Sequence, residues 1–265
     1  MGTREPTALG ARRQPPPTFS RERLQQVADM EGWHFWFRGR RQLVDRLLER
    51  SGLRGGSLVV DVGSGTGWNS RNLHERGYRV VGLDRRPEGL GASDPSYKGP
   101  WFVQGDAVAL PFGSGSCDAV LAIDTLEHVD DSRVLAEVFR ILRPGGTMLL
   151  TVPAMPWLWS YRDDAAGHLR RYTRSSLSRV LRERGLSVVD MRYYQFLLFP
   201  LLLATRALGR RNARTRDLED RPAWWVNGPL LWVNRLDVRL GEVLSWPWGS
   251  SIVALCERAT HEASV

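Results

Sequence analysis

The stretch Val59-Val60-Asp61-Val62-Gly63-Ser64-Gly65-Thr66-Gly67 constrains the fold of this 265-residue chain more than any other segment. A valine-rich run enters three glycines at alternate positions, and a helix-like segment, Trp68 to Arg76, follows. Continuous apolar residues of this kind suit a strand buried on both faces. Glycine tolerates a left-handed backbone and, lacking Cβ, lets a ligand approach the main chain. In an open α/β sheet, a strand–turn–helix junction of this kind lies at the carboxyl edge, where nucleotide-like cofactors bind.

The spacing separates two cofactor classes. A dinucleotide fingerprint, G-x-G-x-x-G, aligned on Gly63 and Gly65 would put its third glycine at Trp68, too bulky for close helix–strand packing. What stands here is D-x-G-x-G-x-G.

The alternation continues. RVVGLD (79–84), 102–106, CDAVLAID (117–124) and TMLLTVP (147–153) read as strands, with a helix over 132–142. Beyond Pro153, 157–174 reads as loop, 175–184 as helix, LSVVDMRYY (186–194) as strand and SIVALCER (251–258) as the last strand. The fold class is therefore α/β, with a mostly parallel sheet covered by helices on both faces. Residues 1–20, with three consecutive prolines, read as a disordered tail, and 21–52 as an N-terminal helical cap. The core spans 53–195 and 246–260. A helical insertion, 196–245, precedes the last strand and is expected to be broken into short helices at Pro200, Pro222, Pro229 and Pro247.

Acidic residues stand at successive strand ends. Asp84 closes the second strand and can accept two ribose hydroxyls. Asp106 closes the third and can accept from an exocyclic amine, or cap a turn. Asp124 closes the fourth. Asp124, Glu127 and His128 have helical i, i+3, i+4 spacing, which suits an acid/base group, a hard-metal site or plain local hydrogen bonds. His168, with Tyr161 and Tyr172, follows the fifth strand and can bind or deprotonate a substrate. Trp36, Phe37 and Arg41 fit a lid or an aromatic helix interface.

VVDVGSGTG, VVGLDRR, FVQGDAVALPFGSGSCDAVLAIDTLEHVDD and ILRPGGTMLLTVP run in order over 59–153 and resemble the class I S-adenosylmethionine-dependent methyltransferases, type 11-like. WHFWFRGRR and GHLRRYT resemble segments of the branch that acts on small molecules, lipids and glycan intermediates. The resemblance implies a Rossmann-like sheet of seven strands with a reversed last strand, and S-adenosyl-L-methionine across its carboxyl edge. It puts Gly63, Gly65 and Gly67 along the methionine and ribose, Asp84 at the ribose, Asp106 and Ala107 at the adenine, and Asp124 near the sulfonium and substrate. Asp61, Ser64 and Arg85 complete the cofactor set. Glu127, His128 and His168 are the catalytic candidates. Quinone O-methyltransferases carry a similar LEHV segment and use a divalent ion, yet no metal is expected here.

The expected reaction is methyl transfer to O, N or C of a small or hydrophobic acceptor. Two rivals are an RNA methyltransferase and a cofactor-binding protein of this fold that does not methylate, such as a cyclase. The net charge is +8, but the arginines form no dense run or separate binding module, so a nucleic-acid partner is disfavoured. Most of the charge excess and seven of the eleven tryptophans fall after Pro153. The insertion there suits a lid over an apolar acceptor, a peripheral membrane contact or a homodimer interface. Two cysteines give no disulfide framework, 1–20 has no apolar leader, and the longest apolar run is nine residues against the ~20 of a membrane span. The expected compartment is the cytoplasm.

Overall fold

The computed structural model describes residues 21–86, 99–209 and 222–260. The expected tail at 1–20 and residues 210–221 of the insertion lie outside them.

One sheet of seven strands organises the chain: β1 (Leu58–Val62), β2 (Arg79–Asp84), β3 (Trp101–Gln104), β4 (Cys117–Ile123), β5 (Leu142–Pro153), β6 (Leu186–Tyr194) and β7 (Ser251–Arg258). Their order is β3-β2-β1-β4-β5-β7-β6. The first five pair in parallel, and β7 runs antiparallel between β5 and β6. The order reverses between β1 and β4, which opens a crevice at their carboxyl ends, the usual ligand position in such sheets.

Eight α-helices surround the sheet among the described residues: α1 (Arg21–Glu31), α2 (Phe35–Arg50), α3 (Trp68–Glu75), α4 (Asp131–Ile141), α5 (Tyr161–Ala166), α6 (Arg174–Glu183), α7 (Phe199–Gly209) and α8 (Trp224–Leu240). The strand period of two sends alternate valines to opposite faces. Val60 and Val62 meet Val134, Leu135 and Val138 of α4 and Leu177 and Leu181 of α6 in one core cluster. Val59 faces the other way, toward Val44, Leu47 and Leu48 of α2 and Leu73 of α3. Each fully buried leucine in these layers is worth roughly 1.5–3 kcal/mol of transfer free energy.

The helices at the two ends of the chain close over the carboxyl edge together. Asn227 of α8 accepts from Phe35 N–H at 2.8 Å and donates to Trp33 O at 2.8 Å. Asn234 donates to Phe35 O at 3.2 Å. A Cβ on Gly39 would lie 2.1 Å from Asn234 Nδ2, so α2 and α8 cross there only because the residue is glycine. Buried Asp237 accepts from Gln195 N–H and Leu197 N–H at 2.7 and 2.8 Å, fixing α8 to the end of β6.

Several local expectations are corrected. Pro229 does not break the insertion; it lies inside the 17-residue α8. Its missing N–H would have served Trp225, a residue 66% exposed, where water can take its place, and Gly228 brings no Cβ against the ring. The segment 157–174 is not all loop: Ser160 and Asp163 form a capping box that starts α5, and Gly167 ends it at φ 70. β3 stops at Gln104, short of Asp106, because the Asp106 carboxylate accepts from Val108 N–H at 3.1 Å and turns the chain. Asp124, Glu127 and His128 do not share an α-helical face: Asp124 has φ 49, and only a 3-10 turn, Leu126–His128, follows. No helix among the described residues is long and apolar enough to cross a membrane.

Candidate active site

A cavity of about 1490 Å³ lies between the carboxyl ends of β1, β2 and β4, helices α1 and α2, and the insertion helices α7 and α8. Common ligand pockets are roughly 300–1,000 Å³. This space has room for a nucleoside-sized group and a second molecule beside it.

One end is built from the glycine turn. Gly63 has φ 75, and a Cβ there would strike Thr125 Oγ1 at 2.6 Å. Thr125 is held in turn by donating to Val62 O at 3.0 Å. Gly63 N–H and Ser64 N–H both donate to Leu83 O, at 2.8 and 3.0 Å, tying the turn to β2. Ser64 Oγ is buried, lines the cavity and has no hydrogen-bond partner among the described residues. Asp84 accepts from Gly65 N–H at 2.9 Å and Arg86 N–H at 3.0 Å, which aims its carboxylate between two loops at the cavity wall. Arg85, Gly105 and Ala107 continue that wall. An unsatisfied hydroxyl, a Cβ-free backbone at Gly65 and an anchored carboxylate fit a polar ligand with hydroxyl groups.

The middle of the cavity is ionic. The Arg40 guanidinium bonds the Asp124 carboxylate, and Thr151 Oγ1 donates to the same carboxylate at 2.6 Å. Burial opposes the charge on Arg40, but Asp124, Tyr194 and Glu31 outweigh it and hold the guanidinium protonated. Glu31 of α1 accepts from Thr66 Oγ1 at 2.6 Å, so α1 grips the glycine turn directly. Glu127 is buried at 1% exposure, and neither carboxylate oxygen has a hydrogen-bond partner among the described residues. Burial, then the negative Asp124, pushes its pKa well above the usual carboxylate range. Burial, then neighbouring His168, pulls His128 down to about 4, so it is neutral at pH 7.

His168 is held from behind. Its Nδ1 lies 2.9 Å from Asp163 Oδ1, and its ring meets His128 edge-on with centroids 4.8 Å apart. Asp163 is fully buried and also accepts from Ser160 N–H at 2.8 Å and Arg171 Nε at 2.7 Å. Burial alone would raise the Asp163 pKa; the His168 and Arg171 contacts reverse this and hold it far below the ordinary value. An Nδ1–H donated to Asp163 leaves His168 Nε2 free to take a proton. Leu169 N–H donates to Glu127 O at 2.7 Å, which joins this loop to the turn after β4.

The structure thus gathers Gly63, Ser64, Gly65, Asp84, Arg85, Ala107, Asp124, Glu127, His128, His168, Trp36 and Phe37 on one cavity wall. It separates others from it. Asp61 is buried under the turn, accepts from Ser70 Oγ at 2.5 Å and is raised to about 6 by burial. Gly67 serves as the N-cap of α3. Asp106 faces outward, 3.7 Å from Arg85. Arg41 stacks over Trp68 at 4.9 Å, and Arg40, one position earlier, takes the cavity side instead. Tyr172 does not line the cavity: it is 3% exposed in the core, and its hydroxyl donates to Asp131 at 2.8 Å. Tyr161 accepts from Arg162 Nε at 3.2 Å and does not line the cavity, whereas Arg162 does. Arg40, Glu31 and Asp163 line the cavity and were missed by the sequence reading. The Ser160-x-x-Asp163 capping box was a readable signal for Asp163; none distinguished Arg40 from Arg41.

A family model described as a methyltransferase domain matches residues 60–150, the segment that holds the end of β1, the glycine turn, β2 to β4 and most of β5. Over these residues the chain is similar to a methyltransferase domain. A relative from Mycolicibacterium smegmatis, named "Probable S-adenosylmethionine-dependent methyltransferase", is 28% identical over 59% of this chain and 61% of its own. The methyltransferase in the Haloferax volcanii Trm112 activator complex is 21% identical, covers 90% of this chain and 94% of its own, and superposes with a TM-score of 0.60. The [4+2]-cyclase SpnF is also 21% identical, covers 83% and 81%, and gives 0.54. Both structural likenesses concern the fold. The matched segment supplies the glycine-turn side of the cavity; the walls from α1, α2, α7 and α8 lie outside it.

Proposed function

We propose that this chain transfers a methyl group from S-adenosylmethionine to a hydrophobic acceptor that occupies the insertion side of the cavity. The observation that carries this reading is the cavity's two-ended lining. The glycine turn and Asp84 form one end, Leu198, Leu202, Trp225 and Leu230 the other, and Glu127 and His168 lie between. Gly63, Ser64, Gly65, Asp84 and Ala107 would hold the cofactor, with Asp84 accepting the ribose hydroxyls. The cofactor, when bound, supplies an electrophilic methyl group. The protein then has to orient the acceptor, exclude water and manage one proton.

The residues divide that work. His168 accepts the acceptor's proton at Nε2, and Asp163 stabilises the imidazolium through Nδ1. Glu127, whose protonated form burial favours, donates a hydrogen bond to the acceptor's polar atom. Trp36 and Phe37 cover the junction and keep it dry. Donor atoms of Glu127, His128 and His168 lie within 4.8 Å of one another, a grouping that could also hold a metal ion. We read them as a proton-handling set, since burial favours an uncharged Glu127.

The test is incubation of the protein and methyl-labelled S-adenosylmethionine with a cell extract, followed by phase separation. Label in the organic phase, undiminished after dialysis against EDTA, is the expected result. Label confined to RNA would favour a nucleic-acid methyltransferase. Cofactor binding with no labelled product would favour the non-methylating reading. Loss of transfer on chelation, restored by a divalent ion, would turn the Glu127–His128–His168 group into a metal site.

A further inference from the structure

The outer face of α8 has no partner among the described residues and an unusual composition. Along the helix the exposed positions recur at helical spacing, Trp225, Trp232, Arg235 and Arg239, with Trp224 beside the first. Trp224, Trp225 and Trp232 are 87%, 66% and 66% exposed, in a residue type that is ordinarily covered. The only acidic residue of α8, Asp237, is fully buried. The exposed face therefore carries tryptophan at one end, arginine at the other and no negative charge. Arg235 and Arg239 pair with no carboxylate among the described residues. Past the helix the apolar surface continues with Val243 at 86% exposure and Trp248 at 46%.

This surface touches the cavity. Trp225 of α8 and Leu201 of α7 both line it, yet they are 66% and 47% exposed, so they form its rim. The cavity's apolar end opens on the tryptophan face.

We propose that this face docks on an anionic phospholipid surface, with the tryptophans at headgroup depth and Arg235 and Arg239 on lipid phosphates. Tryptophan is favoured at a membrane interface because its ring is apolar and its N–H stays hydrated. Arginine reaches phosphates while its stem covers apolar surface. A short helix with this division lies in the interface and does not span it. Docked this way, the cavity rim meets the lipid phase, and an acceptor dissolved there reaches Glu127 and His168 without crossing water. That last step rests on the methyl-transfer reading; the docking does not.

The experiment is vesicle co-sedimentation of the full chain, without cofactor or acceptor, on phosphatidylcholine vesicles with and without phosphatidylglycerol. Binding is expected only with the anionic lipid and weakens as salt rises. Brominated lipid is expected to quench tryptophan fluorescence. Arg235→Glu with Arg239→Glu should lower partitioning by at least roughly 30-fold, since each basic residue near such a surface contributes about fivefold. Trp224→Ser with Trp232→Ser, neither lining the cavity, should weaken binding and reduce the quenching while thermal unfolding is unchanged. Absence of vesicle binding, or binding indifferent to both double variants, would overturn the proposal. So would a dimer, seen in sedimentation, that the tryptophan variants dissolve while vesicles remain unbound: the face would then belong to a second copy of the chain.

Discussion

Asp163→Ala is expected to lower the melting temperature by roughly 10 °C and turnover on the order of a hundredfold. The two effects have separate causes. Arg171 is 4% exposed and relies on Asp163 for its counter-charge at 2.7 Å. Removing one partner of a buried ion pair costs about 3–5 kcal/mol, because the other charge is left desolvated. At about 2–4 °C per kcal/mol for a chain approaching this size, that loss gives the expected shift. The substitution also removes the α5 capping box, which adds to it. Turnover falls because His168 loses the acceptor that fixes its Nδ1–H and stabilises its protonated form; a positioned general base is worth roughly 10²–10⁴-fold. Asp163→Asn separates the two. Placed at the Oδ2 position, the amide oxygen still accepts from Ser160 N–H and keeps the α5 cap, while the NH2 at the Oδ1 position cannot accept from His168 or Arg171, so stability should recover more than turnover. Thermal unfolding and initial rates read the pair of effects. Equal recovery of both would mean that Asp163 acts only through folding.

Arg40→Met is the second large effect. Arg40 lies against Asp124 and also lowers the pKa of Glu31, Asp61 and Glu127, so one cation balances an acidic cluster. Its side chain is 13% exposed and that of Asp124 27%. The residual exposure of Asp124 lets water take up part of the lost interaction. The expected destabilisation is therefore about 2–3 kcal/mol, the low side of the range for broken buried pairs. Combining Arg40→Met with Asp124→Asn removes both charges and should recover at least half of it. A denaturant double-mutant cycle measures the coupling. Simple additivity would show that the two charges do not depend on one another.

The sheet was legible because its signal is local. Val59–Val62 and Cys117–Ile123 are uninterrupted apolar runs, and every strand was found within a few residues of its place. The glycine turn was legible for the same reason: D-x-G-x-G-x-G states its backbone conformation directly. Side-chain direction was harder. Arg40 and Arg41 differ by one step of about 100° around α2, and only the crossing of α8 at Gly39 decides which faces the cavity. Tyr172 looked like a polar residue beside the acceptor loop. Its hydroxyl instead satisfies Asp131 across the core, a contact 41 residues apart in sequence. Pro229 misled because the rule against proline in a helix assumes that the freed carbonyl is buried, and here it belongs to Trp225, a residue 66% exposed. Asp106 sits one turn further on than expected because its own carboxylate ended the strand.

The central claim is that the glycine turn and Asp84 form the cofactor end of a cavity shared with the acceptor. Calorimetric titration of S-adenosylmethionine into the wild-type chain and into Asp84→Ala tests it most directly, with Asp84→Asn as a control that keeps an acceptor for Gly65 N–H. Charge-assisted hydrogen bonds contribute about 1.5–3 kcal/mol, so Asp84→Ala should bind roughly ten- to a hundredfold more weakly, with Asp84→Asn in between. Equal affinity in all three proteins, at unchanged thermal stability, would contradict the assignment of this end of the cavity to the cofactor.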